Sequence, residues 1–191
     1  MNYSLGFTTG ALLYKESKEY IYSISSITKY LMKTENVSSS QLSTNSERSR
    51  KKIKSELDKR FSFLNTDYLE LFIRSEESDQ KIILLLAICK CYPIIVEFLL
   101  EVIYIKWKRF DYDVMTYDFE YFLSEKLSQE NLDSISEKTK YKLSQVTIKM
   151  LKEIGMLEKG QIRQIFPSEE MINTLNKNGD AWFLNCLLIT Q

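Results

Sequence analysis

The 191-residue chain is 44% hydrophobic and 27% charged, with only five Gly and two Pro, a composition that favours long helices and argues against a turn-rich β-sandwich. Lys+Arg and Asp+Glu both total 26, so no net charge draws the chain toward DNA or acidic lipid, and any nucleic-acid surface has to come from local segregation of charge. Histidine is absent, which excludes Ser-His-Asp and Cys-His nucleophile arrangements, HExxH zinc sites and C2H2 fingers. A chain of this length suits one domain, or two small ones that share a core, and buries about 70% of its unfolded surface.

The opening "MNYSLGFTTGALLYKES" has no basic segment ahead of an apolar run, so a signal peptide is not expected. A first helix is expected from Thr9 or Gly10 through "ALLYKESKEYIYSISSITKYLMK", weakened midway by serines and β-branched residues. After a Ser/Thr/Asn-rich loop, Thr44-Asn45-Ser46-Glu47 offers a capping box, in which Thr44 caps the N3 amide and Glu47 reciprocates. The helix that follows carries Ile53, Leu57, Phe61 and Leu64 as its inward stripe. Its outer side is basic: Glu47–Arg60 holds seven basic residues against three acidic ones. A short helix, "TDYLELFIRS", comes next.

"KIILLLAICKCYPIIVEFLLEVIYIKWKR" has the length of a membrane span, but Lys90, Pro93, Glu97 and Glu101 interrupt it. Each charge at mid-bilayer costs about 2.5–3.5 kcal/mol. Two buried core helices explain it better, with Pro93 in the first turn of the second, where its missing N–H goes unused. A further helix is expected after Thr116, approached by Asp111, Asp113, Asp118 and Glu120. The polar "SQENLDSIS" is the expected boundary between two lobes, 1–130 and 131–191.

Ser134-Ile135-Ser136-Glu137 is a second capping-box candidate, ahead of a helix from about Glu137 to Ile154 that Gly155 ends in the left-handed region. "MLE" and "QIRQIF" read as short strands around Lys159-Gly160. Pro167 and Ser168 open another helix, closed by Gly179, and "AWFLNCLLI" is assigned as a final strand, with helix as the alternative.

There is no GxxxxGK[ST] loop, GxGxxG or DxDxDG. Glu76-Glu77 and Glu169-Glu170 suit the first turns of helices. Cys89, Cys91 and Cys186 are an odd set with neither a disulfide framework nor CxxC, which fits small buried hydrophobes in a reducing cytoplasm. Cys91 lies beside Lys90, yet no base accompanies it. No enzymatic step, metal or cofactor is expected.

The Glu137–Ile154 segment carries two faces. Leu143, Val146, Thr147, Met150, Leu151 and Ile154 recur at helical spacing as one inward face. Lys138, Lys142, Gln145, Lys149 and Lys152 form an opposite stripe without a carboxylate. With Lys140, Lys159 and Arg163, the stretch Glu137–Arg163 holds seven basic residues against three acidic. A one-sign helix followed by a basic-tipped hairpin is how winged helix-turn-helix domains address duplex DNA, the helix in the major groove and the wing on the phosphates. A lysine stripe is also what an ordinary solvated helix face presents, and the pattern alone leaves both readings open. Few Arg or Asn are available for bidentate base contacts, so contact would be led by the DNA backbone.

The opening "YSLGFTTGALLYKES", the "SERSRKKIKSELDKR" helix, "FLLEVIYIKWKRFDYDVMTYDFEYFL" and the closing "SEKTKYKLSQVTIKMLKEIGMLEKGQIRQIFPSEEMINTLNKNGDAWFLNCLLI" together resemble the BrxA family of BREX bacteriophage-exclusion systems. The resemblance implies a mostly α, cytoplasmic protein, NusB-like in its helical part, with capacity to bind DNA and no known enzymatic step. Family stretches rich in Arg are rich in Lys here.

The expectation is therefore a mostly α multi-helix bundle over 1–130 and a winged-helix-like lobe with a small β-hairpin over 131–191. It would bind double-stranded DNA with low sequence specificity through Lys138, Lys140, Lys142, Gln145, Lys149, Lys152, Lys159 and Arg163. Arg48, Arg50, Lys51 and Lys52 would give a second positive surface. Double-stranded DNA and other BREX proteins are the partners, with no membrane and no small-molecule substrate. The alternative is a protein-interaction subunit that organises other defence components, with an exposed aromatic patch from the Tyr/Phe-rich Asp111–Phe122 segment.

Overall fold

In the computed structural model, which describes residues 3–189, the chain opens on a 3-10 turn, Gly6–Thr9, and an irregular stretch ending at the left-handed Leu13 (φ 54°). The first helix is shorter than expected and broken in two: α1 spans Tyr14–Tyr22 and α2 Ile27–Leu31. Serines cause the break. Ser23 Oγ donates to the Tyr20 carbonyl at 2.7 Å, and the Glu35 carboxylate accepts the Ser25 and Ser26 N–H groups at 2.6 and 2.9 Å. Ser26 then caps α2 through the Lys29 N–H. Side chains and a distant carboxylate have replaced helix hydrogen bonds at this point.

Next come α3 (Glu47–Phe61), α4 (Thr66–Arg74) and α5 (Glu77–Cys91). The α3 cap is Ser46, whose Oγ accepts the Ser49 N–H at 3.1 Å, and not Thr44. Glu47 is then a first-turn acid that complements the helix dipole. Leu57, Phe61 and Leu64 are buried, while Ile53 is partly buried at the core margin. α5 is buried from Ile82 to Cys89, and a helix apolar on every side has to sit in the middle of the core. Pro93 starts α6 (Pro93–Phe98), which passes through a π-helical turn, Leu99–Ile103, into α7 (Tyr104–Lys108). α5 and the Pro93–Lys108 run meet at a 112° bend, and no single described helix is long and apolar enough to cross a membrane.

α8 (Thr116–Lys126) and α9 (Gln129–Asp133) precede α10 (Glu137–Glu153), so the polar "SQENLDSIS" contains a short helix. Ser136, two residues beyond the expected Ser134, caps α10 through the Thr139 N–H at 3.3 Å. Ser136→Ala is expected to cost about 1 kcal/mol, read as a lowered urea midpoint with unchanged slope. Gly155, at φ 85°, ends the helix as its position required. β1 (Leu157–Glu158) and β2 (Gln161–Ile162) pair antiparallel around Lys159 and Gly160, both at positive φ (51° and 84°), as a two-residue type I′ hairpin needs. A third segment joins this sheet. The Val114 N–H donates to the Gly160 carbonyl and the Ile162 N–H to the Tyr112 carbonyl, each at 2.8 Å, bridging Asp113 to Gln161.

Ser168 caps α11 (Glu169–Lys177). The terminal apolar run forms a short helix, α12 (Phe183–Cys186), and not the strand assigned from its composition. Asp180 seeds the helical turn: its carbonyl accepts the Phe183 N–H at 2.9 Å, and its carboxylate takes Tyr68 OH (2.6 Å), Lys90 Nζ (2.5 Å) and Trp182 Nε1 (3.2 Å). A buried aspartate with three donors holds the chain where a local reading saw only apolar residues.

One hydrophobic core runs through residues from both sides of position 130. The N-terminal segment helps to join them. The Phe7 ring packs edge-on against Tyr92 (5.4 Å) and Phe119 (6.3 Å), and the Leu12 N–H donates to Glu153 Oε2 at 2.8 Å at the end of α10. Arg60, almost wholly buried, fixes this segment from α3. Its Nε reaches Glu56 at 2.7 Å, and Nη1 and Nη2 reach the Ala11 and Gly10 carbonyls at 2.7 and 2.9 Å. Tyr92 OH donates to the same carboxylate at 2.8 Å.

Candidate nucleic-acid interface

α10 buries Leu143, Val146, Thr147, Met150 and Leu151, with Ile154 just past its end. Ser144 and Ile148 are buried as well, because α8 and the Gly6–Thr9 turn both pack on this helix. The opposite side stays open. Lys138, Lys142, Gln145, Lys149 and Lys152 are all exposed. At 100° per residue they occupy about 80° of the helix circumference, and at 1.5 Å per residue Lys138 and Lys152 stand about 21 Å apart.

Among the described residues, the ion pairs on α10 involve only Lys140 and Lys149. Lys149 lies 3.5 Å from Glu153, a contact between partly exposed groups that contributes little. Lys138, Lys142 and Lys152 have no ion pair among the described residues. Lys140 does not join them. It turns toward α8, is only 20% exposed along its side chain, and sits 2.6 Å from Glu137. The hairpin adds Lys159 at its tip, exposed and strained into a positive φ, and Arg163, whose Nε lies 3.4 Å from Glu158.

Sequence reading missed the Tyr112–Val114 support behind the hairpin. Its only local signal was two β-prone residues flanking an acid, too short to count as a strand before its partner was known. The support matters because a two-stranded ribbon is marginal alone.

The second expected surface is largely spent on α3 itself. Arg50 Nη1 donates to the Thr44 carbonyl at 2.8 Å, Lys51 pairs with Glu47 at 2.6 Å, Lys54 with Asp58 at 2.6 Å, and Arg60 is buried. Of the residues expected there, Arg48 and Lys52 are exposed without an ion pair among the described residues. The thiols are inert by environment. Burial pushes Cys91 up and Cys186 up to about 12, and holds Cys89 well above its usual value. Lys90, the adjacent cation that would favour a Cys91 thiolate, is engaged by Asp180.

A model of the BrxA family matches residues 1–179. The chain belongs to the BrxA family. The crystal structure of an uncharacterized protein from Magnetospirillum magneticum has the same fold, with a TM-score of 0.74 over 98% of each chain at 16% identity. No match was found among curated proteins.

In this BrxA-family chain a second group of exposed side chains is apolar and aromatic. Ile105, Phe110, Met115, Tyr117 and Tyr121 are exposed within a short run of sequence, Phe110 by 81% and Tyr121 by 68%. On α8, Tyr117, Glu120, Tyr121 and Ser124 fall at i, i+3, i+4 and i+7, one face of the helix. Glu120 and Ser124 of that face line a groove of about 390 Å³, opposite Glu137, Lys140 and Tyr141 at the start of α10.

Proposed function

We propose that this BrxA-family chain is a non-catalytic component of a BREX-type phage-defence system that binds double-stranded DNA with low sequence specificity. The observation that carries the reading is the α10 stripe, whose lysines at 138, 142 and 152 stay exposed and unpaired among the described residues. The order of elements supports it: α7, the Tyr112–Val114 segment, α8, the short α9, α10 and a hairpin with Lys159 at its tip come in the order of a winged helix with one short helix added. In such a domain α10 lies in the major groove, about 12 Å wide, and the hairpin tip meets the flanking phosphates. Lysine is a point charge on a flexible stem, so these contacts favour the backbone over base edges.

Fluorescence anisotropy on a labelled random duplex across a salt series tests this. With about four phosphate contacts, log K against log[salt] is expected to slope near −3.6, and Lys142→Ala to bring the slope up by about 0.9. No binding to the duplex even at low salt would end the proposal.

A second reading rests on the exposed aromatics of 105–121. Soluble surfaces rarely gather such side chains without a partner to cover them. Aromatic residues are also enriched where proteins meet. This face would dock another protein of the defence system, with or without DNA on α10.

A further inference from the structure

We propose that the groove between α8 and the first turns of α10 receives a basic segment of a partner protein, with one arginine or lysine side chain entering it. This deepens the protein-interaction reading by stating the partner's chemistry, and it does not depend on DNA binding. The groove has an apolar floor, Leu123 and Leu132, and a wall of Glu120, Glu137 and Tyr141. Its volume, about 390 Å³, lies at the small end for a ligand site and suits one long side chain. Two carboxylates face it against a single lysine, Lys140, which is already held by Glu137 at 2.6 Å.

On the α8 side of the groove the nearby lysines are engaged elsewhere. Lys106 serves Asp111 and Asp118, and Lys126 serves Glu97 and Glu101. Of the groove's two carboxylates, Glu120 is left without an ion pair among the described residues. Glu120 is therefore the unpaired carboxylate of the lining, beside the Tyr141 ring, while Lys138 and Lys142, likewise unpaired among the described residues, stand on the stripe side of α10. A guanidinium or ammonium suits both kinds of neighbour: its stem covers the partly exposed Leu132, its charge meets Glu120, and the half-exposed Tyr141 ring offers its face. Along α10, Tyr141 lies about 60° from the centre of the lysine stripe at 100° per residue.

The test uses the full chain and a labelled decapeptide of alternating Arg and Gly, with the Lys and Glu versions as comparisons. Anisotropy and amide-shift mapping read binding and its location. The Arg peptide is expected to bind, to shift residues 120–124 and 137–141, and to lose at least fivefold in affinity in Glu120→Gln and in Tyr141→Ala. Lys142→Ala and Glu130→Gln are expected to leave it unchanged, and the Glu peptide is expected not to bind. If Tyr117→Ala and Tyr121→Ala weaken binding while Glu120→Gln does not, the interaction face stands and the groove assignment falls. If no peptide binds, both fall. If sedimentation equilibrium shows a dimer that Glu120→Gln dissolves, the occupant is a second copy of this chain and the proposal is overturned.

Discussion

Arg60→Ala is expected to destabilise the fold by about 3–5 kcal/mol, the penalty for stripping one member from a buried ion pair. Arg60 and Glu56 are nearly solvent-free, so alanine leaves a carboxylate in the core with, among the described residues, the Tyr92 hydroxyl as its remaining hydrogen-bond donor. The Gly10 and Ala11 carbonyls lose their donors in the same step. For a chain of this size, 1 kcal/mol shifts Tm by about 2–4 °C, so thermal unfolding should move down by at least about 6 °C. Arg60→Met with Glu56→Leu should recover much of the loss, because removing both charges leaves none buried alone. A single variant as stable as the parent would show that the N-terminal segment does not depend on this clamp.

Lys142→Ala combined with Lys149→Ala is expected to weaken binding to a random duplex about 60-fold at 0.1 M salt. Removing one lysine–phosphate interaction takes about 0.9 from the salt slope, roughly eightfold in affinity at that concentration. The two lysines are two turns apart on the same side of α10, and neither is buried in the core. Their removal should therefore leave the stability within about 0.5 kcal/mol of the parent, measured by urea unfolding. Lys140→Ala is the discriminating partner experiment. Its ammonium is paired with Glu137 on the α8 side, so DNA affinity should change by no more than about twofold. An equal loss at Lys140 and Lys142 would mean that binding follows overall charge and not the α10 face.

Several features were legible from local pattern. The α10 faces follow from 3.6-residue spacing, and Gly155, Lys159-Gly160 and Ser168 mark chain turns whose chemistry is local. The density of apolar residues from Ile82 to Cys89 required a central helix. Caps were legible as a type and not as a position. Ser46 and Ser136 won over Thr44 and Ser134 because each helix starts at its glutamate, and two serines or threonines close together in sequence compete on equal terms.

By itself, the sequence determined that this is a mostly helical chain with a lysine face on one late helix and a basic-tipped hairpin after it. Periodicity is enough for that, since it assigns each side chain to one side of its own element. Only the tertiary structure decided what each side meets. It buried Arg60 beside Glu56, turned Lys140 toward Glu137 and away from the stripe, supported the hairpin with Tyr112–Val114, and made the terminal apolar run a helix around Asp180. In each case the deciding partner lies on another element or across a turn of the same helix, and charge and hydrophobicity counted along the chain carry no information about which partner wins.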